Sequence, residues 1–175
     1  MMNRNEVAEL LSRWNHEAQR TLDLLESLPV DQYDFRPDPE GRSIGEMAWH
    51  LSEIDACLSF GIAERRFRLE DEPPGLARPR SIPLLVSGYR RIHDEATARL
   101  ASLDDDQLEE RVTYFDGRSL SIREVLMDAL LLHLVHHRGQ LALLCRMAGG
   151  RPPGLFGPNR EQMAEIRARM RPVKT

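Results

Sequence analysis

The chain has 175 residues, of which 41% are hydrophobic and 30% charged, a composition typical of one globular domain rather than of a disordered chain. Its net charge of −4, with arginines mixed among acids, argues against nucleic acid as the main partner. Its apolar runs are shorter than the roughly 20 residues that span a bilayer, and its start is polar rather than signal-like, so we expect a cytoplasmic protein that does not bind membranes.

The first predicted element is a long amphipathic helix over residues 3–28, where apolar side chains recur every three or four positions. Pro29 ends this helix. Residues 30–42, which contain two prolines and a glycine, form a turn-rich connection. His16 lies on the side of the helix opposite the apolar stripe, so we expect it to be solvated.

A second helix begins at Ser43, because Ser43 and Glu46 have the capping-box spacing, and it continues to about Leu69. His50 falls within the apolar stripe of this helix. A histidine in that position is more often a hydrogen-bonded core residue than a metal ligand, so a role for it needs support from the rest of the chain. Cys57, in the same helix, is expected to be a small, reduced core side chain.

Residues 70–80 are charged and proline-rich, and we interpret them as a linker that crosses to the third helix. That helix is predicted from Ile82 to Leu103, with Pro83 tolerated in its first turn. His93 lies beside the apolar stripe of the third helix rather than on it. The sequence therefore predicts that His93 faces the rim.

A short β-hairpin is predicted over residues 111–120, where β-forming residues flank an Asp-Gly turn. Ser121 and Glu124 then repeat the capping-box spacing and begin the fourth helix. This helix ends at the glycine pair that starts with Gly149. Cys145, near its end, is expected to be a second small core residue.

Four long amphipathic segments with almost no strand signal predict an all-α protein, an antiparallel four-helix bundle in a single domain over residues 1–175. The bundle core spans about residues 3–148. The C-terminal extension, residues 149–175, begins with a Pro/Gly loop and continues as a short helix from about Asn159 to Met170. One apolar stripe suits that helix for packing on the bundle or on a second subunit.

The fourth helix carries the clearest chemical signal, because His133 and His137 are spaced i and i+4 in an apolar run. Both imidazoles lie on one helix face, where they can share a metal ion. His50 is the candidate third ligand, and three protein ligands with an open position are typical of a catalytic metal site. A di-iron carboxylate site is excluded because positions 130 and 134 are leucines, and the metalloprotease motif HExxH is absent.

Two carboxylates and a third histidine are candidate catalytic residues around these ligands. Glu46 and Glu53 lie one turn on either side of His50 and could orient it or act as a general base. Plainer interpretations are a helix cap for Glu46 and a solvated acid for Glu53. His136 could contact substrate or lie on the rim.

Candidate substrate-binding residues lie nearby, at Arg138, Gln140 and Cys57. Gly139 costs about 1 kcal/mol relative to alanine inside a helix. That cost predicts the close approach of another helix there, with Arg138 and Gln140 on either side.

The segment His133–Gln140, HLVHHRGQ, resembles the His-x-x-x-His-Arg-Gly-Gln signature of the DinB superfamily, which includes the YfiT-like metalloenzymes. Tyr33–Pro37 (YDFRP), Ser43–Glu46 (SIGE) and Trp49–Leu51 (WHL) resemble the approach to the second helix in that family. The resemblance covers about residues 3–148.

The resemblance implies an up-down-down-up bundle that forms a homodimer and binds a divalent metal through the residues that match His50, His133 and His137. Zinc or nickel is the expected ion, with iron or manganese as alternatives. Some relatives are S-transferases or isomerases that use a low-molecular-weight thiol, so we expect a small-molecule substrate and such a transferase. The alternatives are a metal-dependent hydrolase, a non-catalytic metal-binding or stress-associated module, and a purely structural bundle with hydrogen-bonded histidines.

Overall fold

The computed structural model describes residues 5–170 and confirms an all-α four-helix bundle with a small hairpin and a short C-terminal helix. The predicted helix start at Asn3 lies outside the described residues. The first three helices are α1 (Glu6–Glu26), α2 (Ile44–Glu64) and α3 (Ile82–Leu100). A 3₁₀ turn (Asp106–Glu109) and two strands follow, β1 (Arg111–Thr113) and β2 (Ser119–Ser121). The fourth bundle segment runs without a break through α4 (Ile122–Glu124), a π-helix (Val125–Leu132) and α5 (His133–Met147), and α6 (Arg160–Arg169) ends the fold.

Both predicted capping boxes are confirmed. The Ser43 hydroxyl accepts a hydrogen bond from the Glu46 amide, and the Glu46 carboxylate accepts one from the Ser43 amide at 2.9 Å. Ser121 and Glu124 make the same reciprocal pair at the start of the fourth segment. Each box satisfies amide groups that the first helical turn leaves without an intrahelical partner.

The predicted end of the second helix near Leu69 is wrong, because α2 ends at Glu64. Arg65 adopts the left-handed conformation with φ of 56°, and the chain reverses. The Phe67 ring then lies against Gly61, where a Cβ atom would meet the ring at 2.2 Å. Burial of this ring therefore ends the helix earlier than the apolar stripe indicates.

Packing places α1 mainly against α3 and α5, and α2 mainly against α3 and α5, so α1 and α2 lie diagonally across the core. The core contains a polar cluster centred on Asp55, which is fully buried. Its carboxylate accepts hydrogen bonds from Trp14 Nε1 at 3.0 Å and from His93 Nδ1 at 2.8 Å. The prediction that His93 faces the rim is wrong, because this histidine is buried and satisfies Asp55. His16 is exposed as predicted.

The hairpin is confirmed, with Val112 paired to Leu120 and the turn closed by Gly117 at a φ of 85°. The extension lies on the surface. Of the residues the structure describes in α6, none is buried, and Ile166 is 41% exposed, so its apolar stripe does not pack on the bundle. A two-pronged ion pair between Arg146 and Glu161, at 2.8 and 2.9 Å, joins α6 to α5 instead.

Gly139 faces open space, since no atom of the described chain lies within 4 Å of a Cβ built on it. The predicted approach of another helix of this chain at Gly139 is therefore wrong. Along residues 5–170, no helix combines the length and the apolar character that a membrane span requires.

Candidate metal centre

The three histidines singled out by spacing and resemblance meet at one point of the bundle. His50 lies in the second turn of α2, and His133 and His137 occupy the first two turns of α5. One ring nitrogen from each residue lies within 4.8 Å of the other two. All three side chains are partly buried, so the cluster lies where the bundle interior opens to solvent.

Hydrogen bonds from the other nitrogen of each ring fix the ring orientations. His50 Nδ1 lies 3.0 Å from Glu53 Oε2, His133 Nδ1 lies 3.2 Å from the Ala129 carbonyl, and His137 Nδ1 lies 2.7 Å from Gln140 Oε1. Each of these oxygens can only accept a hydrogen bond, so each neutral ring carries its proton on Nδ1. The three Nε2 atoms therefore present lone pairs.

The residues fit a divalent metal ion. The observation that supports this fit is the close approach of two of these lone pairs. His133 Nε2 and His137 Nε2 lie only 2.8 Å apart, and two lone pairs at that distance repel unless a metal ion or a proton lies between them. Carboxylate, amide and carbonyl groups that accept from the distal nitrogen are the usual support of metal-binding imidazoles. An all-imidazole donor set suits zinc, nickel or iron better than manganese, which favours oxygen ligands.

Partial burial keeps the His133 and His137 rings neutral, as a metal ligand must be. Burial is the main cause that lowers the pKa of His137 from 6.5 to about 4; the neighbouring histidines contribute in the same direction, and the Gln140 hydrogen bond opposes them. Burial and the nearby His50 also lower the pKa of His133. Both rings are therefore ready to bind a cation at neutral pH.

A π-helix leads directly into the cluster, a feature that the sequence pattern did not predict. It spans Val125–Leu132 and ends where His133 begins α5. The His133 amide donates to the Leu130 carbonyl rather than to the Ala129 carbonyl four residues back. The Ala129 carbonyl accepts from the His133 ring instead. Such π segments are common at functional sites.

A cavity of about 790 Å³ opens beside the cluster, and His50 and His133 form part of its wall. One face of α2, residues 69 and 71–77 of the crossover and the hairpin residues Tyr114 and Phe115 form the rest. This volume is within the range of small-molecule sites.

Two hydrogen bonds hold the crossover over this cavity, and neither was predicted from the sequence. Trp49 Nε1 donates to the Leu76 carbonyl at 3.0 Å, and the Tyr33 hydroxyl donates to the Pro79 carbonyl at 2.7 Å. Gly45 admits the Tyr33 ring, which a Cβ atom at that position would meet at 2.2 Å. Tyr33 and Trp49 belong to the YDFRP and WHL segments, so the family resemblance of those segments was the sequence signal for these two contacts.

The remaining candidate residues fall into different environments. Glu53 supports His50, whereas Glu46 is held by the Ser43 amide and by Arg36, which lower its pKa. Glu46 does not line the cavity, and its contacts are those of a helix cap.

Cys57 is exposed on the cavity wall, so the prediction that it is a core residue is wrong, whereas Cys145 is buried as predicted. The protein atoms around the cavity partly desolvate the Cys57 thiol and, with the charges of Glu53 and Glu72, raise its pKa, which keeps it protonated and weakly nucleophilic at neutral pH. Its role in substrate binding stays a prediction.

Gln140 and His136 form an exposed pair next to His137, in which the Gln140 amide donates to His136 Nε2 at 3.0 Å. Arg138 points the other way. It is fully buried, and its guanidinium donates to the carboxylate and the backbone carbonyl of Glu17. The predicted contact of Arg138 with substrate is therefore wrong, because this side chain joins α5 to α1.

Comparisons with known proteins agree with this architecture. The sequence model of the DinB superfamily matches residues 13–141, a range that contains all three histidines. The chain is 30% identical over 161 residues to the uncharacterized protein YrdA of Bacillus subtilis (strain 168), covering 89% of this chain and 91% of that protein.

Two crystal structures have similar folds. A DinB-like protein from Bacillus cereus ATCC 10987 is 26% identical, with a TM-score of 0.69 over 84% of this chain and 95% of that one. The DinB-like protein YjoA from Bacillus subtilis is 22% identical, with a TM-score of 0.69 over 87% of this chain and 99% of that one.

Proposed function

This chain belongs to the DinB superfamily, and we propose that it is a metal-dependent enzyme that binds a divalent ion through His50, His133 and His137. We propose further that it transfers a low-molecular-weight thiol to an electrophilic small molecule. The observation that carries the metal proposal is the pair of facing Nε2 lone pairs 2.8 Å apart, with the third imidazole beside them. The thiol-transfer proposal is supported by the family resemblance.

Zinc or nickel is the proposed ion, and iron is the alternative. When bound by three protein ligands, such an ion leaves a coordination position open and lowers the pKa of a thiol or water there. The chain itself supplies orientation, because Glu53, Gln140 and the Ala129 carbonyl hold the three rings. The apolar part of the cavity wall offers contact surface to a substrate.

The cavity favours an enzyme over a non-catalytic metal-binding module, because a module that only stores metal needs no space of about 790 Å³ beside the ligands. A hydrolase would need a general base near the metal. Glu53 is the carboxylate beside the cluster, and it already accepts from His50. Thiol transfer suits the site better, because metal binding alone can produce the thiolate.

Metal content tests the ligand assignment. We expect purified protein to hold about one zinc or nickel per chain by mass spectrometry of the metals. His50→Ala and His137→Ala should each lose most of it. His16→Ala is the matched control, since His16 is exposed on α1 outside the cluster. Full metal retention in both ligand variants would exclude this site.

An activity assay tests the proposed thiol transfer. The metal-loaded protein should accelerate the reaction of a small thiol with an electrophilic chromophore, and a chelator should abolish the acceleration. A protein that holds its metal but is inert across a broad panel of thiols and electrophiles would favour the non-catalytic module. Homodimer formation and a cytoplasmic location stay predictions, and light scattering after size-exclusion chromatography measures the first.

A further inference from the structure

We propose that the cavity beside the three-histidine cluster binds an elongated ligand with an apolar body and a cationic end, a substituted ammonium rather than a carboxylate. The inference rests on the proposed function in one respect only, namely that the other end of the ligand faces the metal. The charge preference of the far end follows from the cavity walls alone.

The long direction of the cavity follows α2. The residues of α2 that line it recur every three or four positions, from His50 through Glu53 to Cys57. With a rise of 1.5 Å per residue, the seven positions from His50 to Cys57 span about 10 Å. Asp71 of the crossover lies 3.4 Å from Arg66, just beyond the C-terminal end of α2. Glu72, the next residue, lines the cavity with it and lies near Cys57. The acidic crossover therefore faces the end of the cavity that is distant from the histidines.

Apart from the histidines, the charged side chains that line the cavity are all acidic. Three carboxylates line the cavity, those of Glu53, Asp71 and Glu72, and among the described lining residues none is lysine or arginine. Two of the three have partners, since Glu53 accepts from His50 and Asp71 faces Arg66 at 3.4 Å.

One negative charge at the far end is left uncompensated. Asp71 Oδ2 forms no hydrogen bond in the described chain, but the Arg66 guanidinium lies 3.4 Å from it and pairs with its charge. Glu72 is exposed to the cavity and forms no ion pair within residues 5–170. A cationic group placed there would pair with Glu72, whereas an anionic group would lose its hydration and meet like charges.

The middle of the cavity is apolar. Leu69 and Phe115 are 80% and 48% exposed, yet both line this one cavity, where Ile54 and Leu58 form the opposite wall. Large exposed apolar side chains that converge on one site indicate a ligand with an apolar body. The Phe115 ring also offers a face to a cation.

A pair of probes that differ only in charge tests the inference. One is 3-phenylpropyltrimethylammonium, and the other is its neutral isostere with carbon in place of nitrogen. Neither coordinates a metal, so both can be titrated by NMR into zinc-loaded and metal-free protein. We expect the cation to bind about three- to tenfold more tightly than the neutral probe, the range for one or two partly exposed charge pairs, and the preference to fall with added salt.

Two variants connect the preference to the cavity. Glu72→Gln combined with Asp71→Asn should abolish it. Glu70→Gln is the matched control, because Glu70 is an exposed acid of the same crossover that does not line the cavity, and it should leave the preference unchanged.

Equal binding of the two probes, binding of neither, or equal loss of the preference in Glu70→Gln would each overturn the inference. Metal content measured on the same samples separates it from the proposed function. A cation preference in protein that takes up no metal would leave the inference standing and exclude the metal enzyme. Bound metal without a cation preference would exclude the inference alone.

Discussion

Removal of the hydrogen-bond acceptor behind His137 gives the sharpest test of how the cluster is held. Gln140 Oε1 accepts from His137 Nδ1 at 2.7 Å and so directs the Nε2 lone pair toward the other two histidines. Gln140→Leu deletes this acceptor from an exposed helical position without reaching the core. Loss of such a supporting contact weakens metal affinity by about 10–100-fold, or about 1.4–2.7 kcal/mol.

Gln140→Glu changes the same contact in the opposite direction. A carboxylate accepts more strongly than an amide and increases the basicity of the bound imidazole, so zinc affinity should equal or exceed that of the original protein. Competition with a chromogenic zinc chelator measures all three affinities. Gln19→Leu is the control, because Gln19 is an exposed glutamine of α1 that bonds to Asp23 rather than to a histidine. Zinc affinity within about threefold of the original in Gln140→Leu would refute the orientation argument.

Three further outcomes follow from the described contacts. Arg138→Met should lower the free energy of unfolding by about 1–3 kcal/mol in urea titrations, because it removes the fully buried partner of Glu17 and leaves only the ion pair with Arg20, and a loss below about 1 kcal/mol would contradict a structural role. Burial lowers the pKa of His137 from 6.5 to about 4, so between these values the unfolded chain binds more protons. Metal-free protein should therefore lose stability as the pH falls from 6.5 to about 4. Urea titrations at these two pH values should show a smaller loss of unfolding free energy for His137→Gln than for the original protein. Equal losses in the two proteins would exclude the linkage. Gly139→Ala should stabilise the chain by about 1 kcal/mol in the same assay, since open space surrounds that position, and a loss of stability together with a change in mass by light scattering would place another subunit there.

The bundle and its three candidate ligands could be predicted from the sequence because both depend on local spacing. The capping boxes and the i and i+4 spacing of His133 and His137 are properties of single helices, and the structure has them as predicted. The prediction of His50 required one further inference, that a histidine on the apolar face of α2 points into the bundle. That inference succeeds because a bundle brings the apolar faces of its helices together.

The errors arise where a distant residue decides the environment. His93 is buried because Asp55, on another helix, needs a donor, and no local pattern contains that information. Arg138 is buried because Glu17 of α1 accepts from it. Cys57 lies in an apolar segment but faces a cavity that α2 forms together with the distant crossover and hairpin. Each error reflects a polar or packing partner far away in the sequence.

The same division between local and distant contacts applies to the three histidines: local contacts orient each ring, and distant contacts bring the rings together. The three groups that orient the rings lie within one helical turn of the ring they hold: Glu53 three residues after His50, Gln140 three after His137, and Ala129 four before His133. Ring orientation is therefore set by each helix alone, and only the convergence of the rings depends on the placement of α2 against α5. Disruption of helix packing should thus cost metal affinity even when all three histidines and their acceptors remain, because a metal ion requires the nitrogens to meet within about 2.0–2.1 Å of one point.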